Sequence, residues 1–305
     1  MADQETGNRL TRAGQTACQT ACHYGKRPRQ TENKNGLPCQ MGLANGLPNG
    51  FGEGGDERRV KFNWVRRTLR IEKPNFFYLQ ETKLNTVDLK WVRSLMEYNS
   101  CEFIQKEKVG KSVGQLLIWD SIYFDASNVI MFDRVIGIRG KWKATGEEFN
   151  IINVYGPHED ANKKKLWESL SSLLKESDEA WILWGDFNEV GDSSERLNCE
   201  FIVRRARKFN DFIDINNLLE TPLGGRLFTR VSDDRVKFSK LDRFLVSKKF
   251  IHMWGELAAV ALDRKHSDYC PIILKDDEKN FSPKPFKVFD AWFDDVGVNE
   301  VVSDA

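Results

Sequence analysis

The stretch AWILWGDFN at residues 180–188 indicates the fold class of this chain. Five consecutive apolar residues run directly into a glycine and two polar residues, which is typical of a strand that is buried on both faces and ends in a tight turn. In α/β proteins, polar side chains at the ends of such strands commonly form the functional site. The stretch therefore predicts a buried strand with Asp186 and Asn188 at its exit.

Apolar periodicity on both sides of this strand predicts further elements. Helical spacing indicates helices at 56–73, 86–98, 163–177 and 201–217, and short apolar or alternating runs indicate strands at 76–80, 115–119, 135–142, 149–155 and 241–247, with a last pair around 257–262 and 270–274. The elements alternate, and several strands follow each other like hairpin partners. This pattern predicts an α/β sandwich of two mixed sheets covered by helices.

The two ends of the chain differ from its middle in composition. Residues 1–55 are rich in Gly, Asn, Gln, Thr and Arg and have neither helical nor strand periodicity, which predicts a disordered leader. A domain is predicted at 56–276. Residues 277–305, with PKPFKVFDAWF, have the character of a linker tail.

The bulk composition excludes few partners. With 46 basic and 45 acidic residues, the net charge of +1 gives no overall electrostatic attraction to nucleic acid. No apolar run approaches the roughly 18 residues that span a bilayer, and MADQETGNRL lacks the apolar core of a secretory signal. We therefore expect an intracellular monomer without membrane contact.

Polar residues are predicted at the C-terminal ends of five of the strands. In chain order they are Glu81 in LQETK, Tyr155 in NVYGP, Asp186 and Asn188 in WGDFN, Asp242 in SKLDRF, and Ser267 with Asp268 in HSDYCPI. A single carboxylate after a strand is more often a turn former or a helix cap. Five such places in order are hard to explain in that way, so we expect them to meet at one edge of the sheets.

The residue types suit phosphate chemistry. Glu81 offers the hard oxygen that Mg²⁺ prefers, and a bound metal polarises a phosphoryl oxygen. Asp186 could orient or deprotonate an attacking water, and Asn188 could hold a phosphate oxygen. The hydroxyl of Tyr155 could donate a hydrogen bond to charge that develops on the phosphate.

These segments resemble the ordered signature of the endonuclease/exonuclease/phosphatase superfamily, and their wording is similar to the endonucleases of plant LINE-type (non-LTR) retrotransposons. The segments that carry the resemblance are LQETK, GKW, NVYGPH, KLW, GDFNEV, KFND, FTR, SDD, KFSKLDRFLVS and SDYCPIIL, within roughly residues 50–300. The resemblance implies a four-layer α/β sandwich that hydrolyses phosphodiesters with Mg²⁺, or Mn²⁺. Its ancestral activity is nicking of DNA, bound through the phosphate backbone, to expose a 3′ hydroxyl for a reverse transcriptase absent from this chain.

The same resemblance implies roles for individual residues and a nuclear location. The implied catalytic residues are Tyr155, Asp186, Asn188, Asp242 and Tyr269, and the implied metal ligands are Glu81 and Asp268. Tyr269 stands where relatives have the histidine of SDH. A tyrosine with an ordinary pKa near 10 donates a hydrogen bond but carries no positive charge at neutral pH, and losing such a group reduces rates by about 10²- to 10⁴-fold. His266 lies three residues before Tyr269, and an odd offset in an extended segment is expected to point its side chain to the opposite face from that of Tyr269.

A second departure concerns the first strand. Relatives begin with an apolar strand that ends near a metal-binding asparagine, whereas this chain offers GLANGLPNGFGEGG. Neither Asn45 nor Asn49 follows a convincing strand, and Leu47 occupies the aligned position, which predicts a degenerate first strand. Gln115 also lies where an apolar residue is expected.

Three functions stay open from the sequence. The first is a working or weakened Mg²⁺-dependent endonuclease, and the second is an inactive retroelement remnant that at most binds nucleic acid. The third is another superfamily activity, such as phosphatase action on an inositol phosphate. The basic clusters at 66–67, 163–165 and 204–207 are interpreted as solvated helix faces rather than DNA contacts.

Overall fold

The computed structural model describes residues 40–43, 56–82, 86–96, 100–107, 114–176, 178–255 and 257–276. All of them lie in the second of the chain's two units, residues 37–305. Within these ranges, no helix has both the length and the apolar character needed to traverse a lipid bilayer.

Five helices and sixteen strands make up this part of the chain. The helices are α1 Asp56–Glu72, α2 Leu89–Met96, α3 Asp160–Lys175, α4 Val203–Ile215 and α5 Lys248–Trp254. The strands are β1 Gln40–Leu43, β2 Phe76–Thr82, β3 Cys101–Lys106, β4 Gly114–Asp120, β5 Phe124–Phe132, β6 Val135–Trp142, β7 Glu148–Tyr155, β8 Ala180–Asp186, β9 Arg196–Leu197, β10 Leu218–Glu220, β11 Leu223–Gly225, β12 Arg230–Val231, β13 Phe238–Ser239, β14 Asp242–Ser247, β15 Leu257–Ala261 and β16 Ile272–Asp276.

The strands form two large mixed sheets and one small one. Sheet A has the order β11-β15-β16-β1-β2-β4-β3, and sheet B has the order β10-β14-β8-β7-β6-β5. The strand β1 runs parallel to β2 and antiparallel to β16, and β7 runs parallel to β8. The small sheet β12-β13-β9 lies outside both.

Side-chain alternation along each strand builds the layers. In β2, Phe76 and Tyr78 belong to the core between the two sheets, whereas Phe77 and Leu79 pack with α1 and α2. In β8, Trp184 faces the same central core. Leu183 instead joins the side chains of α3 and α4. Since successive residues of a strand point to opposite faces, each sheet buries both faces, and the result is the predicted four-layer sandwich.

The predicted strands and helices occur where the apolar periodicity indicated them, with two kinds of correction. The leader predicted at 1–55 is wrong at residues 40–43, because these four residues form β1 in the middle of sheet A. Pairing on both edges stabilises a strand that its own sequence, with a glycine and no β-branched residue, hardly favours. The strands β3, β5 and β9 to β13 and the helix α5 were not predicted. Asn45, Asn49 and Leu47 lie outside the described residues.

Candidate active site

Three of the predicted catalytic residues lie side by side on sheet B. Tyr155 at the end of β7 pairs with Asp186 at the end of β8, and Asp186 pairs with Asp242 on β14. Asp242 is the first residue of its strand and not the last, so the expectation that every site residue follows a strand was wrong for it. Because β14 runs antiparallel to β8, its beginning meets the end of β8 at the same edge of the sheet.

Asp186 and Tyr269 are in direct contact. The phenol of Tyr269 donates a hydrogen bond of 2.9 Å to Oδ2 of Asp186, and both side chains are buried. Burial raises the pKa of Tyr269, and the negative charges of Asp186 and Asp242 raise it further. The tyrosine is therefore a neutral hydrogen-bond donor to Asp186 at physiological pH.

Glu81 and Tyr155 connect the two large sheets. The hydroxyl of Tyr155, at the end of β7 in sheet B, donates a hydrogen bond of 2.7 Å to Oε1 of Glu81 in sheet A. Burial raises the pKa of Tyr155, and the hydrogen bond to Glu81 adds to the shift. Glu81 has a φ of +49°, which is uncommon for a residue other than glycine and often marks functional sites.

Asn188 shapes the turn after β8. Its backbone N–H donates to Oδ1 of Asp186 at 2.7 Å, and its side-chain amide donates to the carbonyl oxygen of Gly156 at 2.7 Å. The backbone N–H of Gly156 in turn donates to the carbonyl oxygen of Asp186 at 2.6 Å. The amide of Asn188 therefore holds the loop after β7 against the turn after β8.

Two glycines explain why the motifs GDFN and NVYGP are built as they are. Gly185 has a φ of +124°, and a Cβ atom there would lie 2.4 Å from the carbonyl oxygen of Val154. A Cβ atom at Gly156 would lie 2.1 Å from the carbonyl oxygen of Phe187. Only glycine allows these backbones to approach so closely, so the positions next to Tyr155 and Asp186 are fixed by steric fit.

The aspartates Asp186 on β8 and Asp242 on β14 form a buried acidic pair whose burial and mutual repulsion disfavour the charged forms. Burial raises the pKa of Asp186 to about 6, although hydrogen bonds from Asn188 and Tyr269 and the charge of Arg230 oppose the shift. Burial, followed by the charge of Asp186, raises the pKa of Asp242 well above its ordinary value. Within the described chain, Oδ2 of Asp242 is buried without a hydrogen-bond partner. The pair therefore favours a proton or a cation nearby.

Two cationic side chains at the site were not predicted from the sequence. The guanidinium of Arg230 lies over the ring of Tyr269, with Cζ 5.6 Å from the ring centroid. Arg134 lies similarly over Tyr155 at 5.4 Å. An isolated arginine gives no signal in a single sequence, because its neighbours are set by tertiary pairing such as the bridge between Arg230 and Tyr269.

The predicted surface cluster at 163–165 also needs correction. Lys163 is 5% exposed, and its Nζ donates to Oε2 of Glu189 at 2.5 Å and to the carbonyl oxygen of Asn188 at 2.6 Å. Lys163 is therefore a buried anchor that ties α3 to the turn after β8. Its neighbour Lys164 is solvated as predicted, and forms an exposed pair with Glu168.

Below the site, a buried polar layer lies between the two sheets. Gln80 donates to the side chain of Asn153 at 3.1 Å and to a backbone carbonyl at 2.9 Å. Gln115, which lies where an apolar residue was expected, donates to the hydroxyl of Tyr78 at 2.6 Å and to the carbonyl oxygen of Arg134 at 3.2 Å. These hydrogen bonds connect the two sheets under Glu81, while Oε1 of Gln80 and Nδ2 of Asn153 are buried without a partner among the described residues.

The segment that carries the SDH-like motif precedes β16 rather than following a strand. The oxygen Oγ of Ser267 accepts a hydrogen bond from the backbone N–H of Tyr269 at 3.1 Å. Asp268 is half-buried and interacts electrostatically with Arg230 and Asp242. The ring of His266 packs edge-on against Trp64 of α1 at 6.0 Å, so it does not take the place of the missing histidine.

The donor set is compatible with Mg²⁺. Among the described residues, no group of three or more His, Cys, Asp and Glu side chains comes together as a metal cage. Mg²⁺ does not need such a cage, since it commonly takes one or two carboxylates and completes its shell with water and substrate phosphate. Glu81 offers a hard carboxylate beside an acidic pair with an unpaired buried oxygen, which is the environment that a divalent cation would neutralise.

Sequence comparison gives one informative relative. No protein-family model matches the chain. Over 113 residues, or 34% of this chain, it is 28% identical to the Transposon TX1 uncharacterized 149 kDa protein of Xenopus laevis. The matched segment spans only 9% of that protein's length.

Comparison with solved structures identifies the fold. An AP endonuclease from Leishmania major has a TM-score of 0.58 at 14% identity, covering 78% of this chain and 87% of that one. The mannosyl-6-phosphatase Bt3783 of Bacteroides thetaiotaomicron has a TM-score of 0.55 at 16% identity, with coverages of 78% and 99%. The human Nocturnin catalytic domain has a TM-score of 0.51 at 16% identity, with coverages of 79% and 94%. The chain therefore has the endonuclease/exonuclease/phosphatase fold, and it is similar over part of its length to a transposon protein.

Proposed function

We propose that this protein is a Mg²⁺-dependent phosphodiesterase, derived from a retrotransposon endonuclease, that nicks DNA. The single observation that carries the proposal is the convergence of Glu81, Tyr155, Asp186 and Asp242 at one edge of the two sheets. Two acidic groups with raised pKa values beside a carboxylate and a phenol form a site suited to water activation next to a cation. Action on chromosomal DNA would place the protein in the nucleus.

The proposed reaction is hydrolysis of the bond between phosphorus and O3′. The oxygen of a water molecule bonds to phosphorus while Asp186 takes the proton of that water. The electron pair of the broken P–O3′ bond leaves with O3′, which takes up a proton from solvent. The products are a 3′ hydroxyl and a 5′ phosphate.

The other residues position these groups. Tyr155 orients Glu81, and Asn188 holds the two loops that carry Tyr155 and Asp186. A bound Mg²⁺ would supply charge neutralisation at a phosphoryl oxygen. Burial, with a smaller contribution from the charge of Glu81, keeps the pKa of Asp186 raised and so maintains its ability to accept a proton. Asp242 lies opposite Asp186 on β14 and completes the acidic pair.

DNA is favoured over a small phosphate ester by the transposon relative. The phosphatase Bt3783 has the same fold, so the fold by itself does not choose between these substrates. The proposal of DNA therefore depends on the sequence similarity, and a substrate comparison must be part of its test.

One observation favours a second candidate, a protein that binds DNA without turnover. Both carboxylate oxygens of Asp186 already accept hydrogen bonds, one of them from Tyr269, and Asp186 has no exposed surface. In this state, Asp186 is poorly accessible to a water molecule. The two candidates differ in whether substrate and metal displace Tyr269 from Asp186.

The test is nicking of supercoiled plasmid with and without Mg²⁺. We expect Mg²⁺-dependent nicking by the natural chain, a fall to background in Asp186→Ala, and a higher rate in Tyr269→His. Hydrolysis of the monoester p-nitrophenyl phosphate is measured in parallel, to compare phosphatase with nuclease activity. Because Asp186 must be ionised to take a proton, the rate should rise as pH increases through about 6.

Three outcomes are distinguishable. Nicking that persists in Asp186→Ala would identify a contaminant and contradict the proposal. Nicking seen only in Tyr269→His, and lost again in Tyr269→His/Asp186→Ala, would mean an intact scaffold inactivated at one residue. Hydrolysis of the monoester without any nicking would favour a phosphatase.

A further inference from the structure

Arg230 lies in the middle of the candidate site, at the start of β12. Its backbone forms an isolated antiparallel bridge with Tyr269, and its guanidinium lies over the ring of that tyrosine. The same ring carries the hydroxyl that donates to Asp186. Arg230 is therefore held by backbone pairing and by ring stacking beside the residue that replaces the histidine of relatives.

The guanidinium of Arg230 is not saturated by the protein. Within the described ranges it makes no side-chain hydrogen bond or salt bridge, and its Nε is buried without a partner, as is the Nε of Arg243. Arg230 is half-buried, and only Nε of its five-donor guanidinium is buried, so its terminal N–H groups reach solvent and are available to a ligand. The position is therefore that of a donor set oriented toward a ligand.

Arg243 shows what a purely structural arginine looks like in this protein. It is 2% exposed, and its guanidinium pairs with Glu195 at 3.0 Å and with Glu220 at 2.8 Å. It also donates to the carbonyl oxygens of Glu189 and Lys240. Arg230 has none of these satisfied contacts, although Asp186, Asp268 and Asp233 lie within its electrostatic range.

His158 is the other candidate for a cation at the site, and it fits less well. It follows the NVYGP motif and interacts electrostatically with Glu81 and Arg230. Burial lowers the pKa of His158, and the charges of Arg230, Lys163 and Arg134 lower it further. At neutral pH, His158 is therefore uncharged and does not replace a lost imidazolium.

We propose that Arg230 binds the substrate phosphate and supplies the positive charge that Tyr269 cannot carry. An arginine guanidinium can donate to two phosphate oxygens at once, and its contact with the ring of Tyr269 fixes its position. This inference rests on the proposed function in that the ligand is a phosphodiester. It adds that the charge lost in the motif at 267–269 is recovered from the strand β12.

The first measurement is DNA binding without turnover. The affinity of a fluorescent DNA duplex is determined in EDTA at several salt concentrations for the natural chain, Arg230→Gln and Arg139→Gln. Arg139 is the matched control, because it is a half-buried arginine of sheet B that is paired with Glu179 and lies away from the edge that carries Tyr155 and Asp186. Loss of one phosphate contact should weaken affinity about 5- to 30-fold in Arg230→Gln and reduce the slope of log K against log salt by about 1, with no change in Arg139→Gln.

The second measurement is a cycle with Tyr269→His in the nicking assay. If Arg230 supplies the missing charge, Arg230→Gln should lower kcat about 10²-fold in the natural chain and far less in the Tyr269→His background, since the histidine then carries the charge. Equal losses in both backgrounds would overturn the compensating role. Thermal unfolding by circular dichroism checks that each variant is folded. If Arg230→Gln does not fold, Arg230→Lys is used in its place to test the role of Arg230. The lysine variant should keep part of the affinity, and unchanged affinity would contradict a bidentate contact.

The two proposals fail in different ways. Unchanged DNA affinity and nicking in Arg230→Gln would overturn the role of Arg230 while the proposed nuclease stands. Absence of nicking in every variant, together with weaker and less salt-dependent DNA binding in Arg230→Gln, would remove the nuclease and support the phosphate contact.

Discussion

At the scale of single residues, the acidic pair Asp186 and Asp242 is unfavourable for folding when both carboxyl groups are charged. Two buried carboxylates lie opposite each other on neighbouring strands, and Thr229 binds the backbone N–H of Asp242 at 3.0 Å. A carboxyl group whose pKa is raised in the folded state binds its proton more tightly there than in the unfolded chain. Stability therefore decreases as pH rises through the region between the two pKa values.

Replacing the charge at Asp242 should stabilise the protein without metal. In EDTA at pH 7.5, we expect Asp242→Asn to increase the free energy of unfolding by about 1–3 kcal/mol, because it removes a buried charge whose oxygen lacks a partner. At pH 5 the gain should shrink, because the raised pKa of Asp242 makes a larger fraction of the natural carboxyl neutral at the lower pH. Urea unfolding at both pH values measures the difference, and an equal or larger gain at pH 5 would contradict the assignment.

The chemistry of the site was predictable only in part at this scale. Glu81, Tyr155, Asp186 and Asp242 adjoin strands that their apolar runs reveal, and pairing of those strands brings them together. Arg230 and Lys163 were not predicted, because their partners come from distant segments. No periodicity within one segment encodes that a lysine on α3 reaches the turn after β8.

At the scale of elements, the helix α3 is attached to the site through one buried ion pair. Lys163 and Glu189 are each almost fully buried, and Arg196 lies 4.0 Å from the other carboxylate oxygen. The pair matters less for its own strength than for what remains when one member is lost, since an unpaired buried charge is strongly destabilising.

Replacing one partner of this ion pair should destabilise the protein more than replacing both partners. We expect Lys163→Met to lower the free energy of unfolding by about 3–5 kcal/mol, and Lys163→Met/Glu189→Met to recover much of the loss. Lys164→Met is the matched control, with an effect within about 0.5 kcal/mol, because its pair with Glu168 is exposed. Denaturant curves for the four proteins test this, and a double variant that is less stable than Lys163→Met would contradict it.

The same scale explains which elements the sequence revealed. Strands in the middle of a sheet, such as β8, are apolar throughout and were predicted. The strands β3 and β5 lie at the edges of sheets A and B, carry exposed polar residues and have little periodicity. The helix α5 is seven residues long, and its start depends on the cap in which Oγ of Ser247 accepts a hydrogen bond from the N–H of Phe250.

At the scale of the whole molecule, sheet A depends on a strand of four residues. On one side β1 pairs with β2, and on the other with β16, so it joins the strands β2, β4 and β3 to the strands β16, β15 and β11. Without it, the two halves of the sheet have unpaired edges in the middle of the core.

Two truncations should separate this strand from the residues before it. A chain that lacks residues 1–36 keeps the whole second unit and should unfold with an unchanged midpoint. A chain that lacks residues 1–55 loses β1, and we expect it to unfold at a much lower temperature or to aggregate. Thermal unfolding with size-exclusion chromatography makes the comparison, and equal stability of the two truncations would show that β1 contributes nothing.

The position of β1 also sets the order of events during synthesis. Gln40 pairs with Leu274, so among the described strands β1 is synthesised first, and its second edge is covered only after β16, the last of them, has been made. Contacts so distant in sequence form slowly, because the loop between them must be closed first. Sheet B is assembled from β5 to β14 and can condense earlier, which leaves closure of sheet A as the late step of folding and the nascent chain exposed until it occurs.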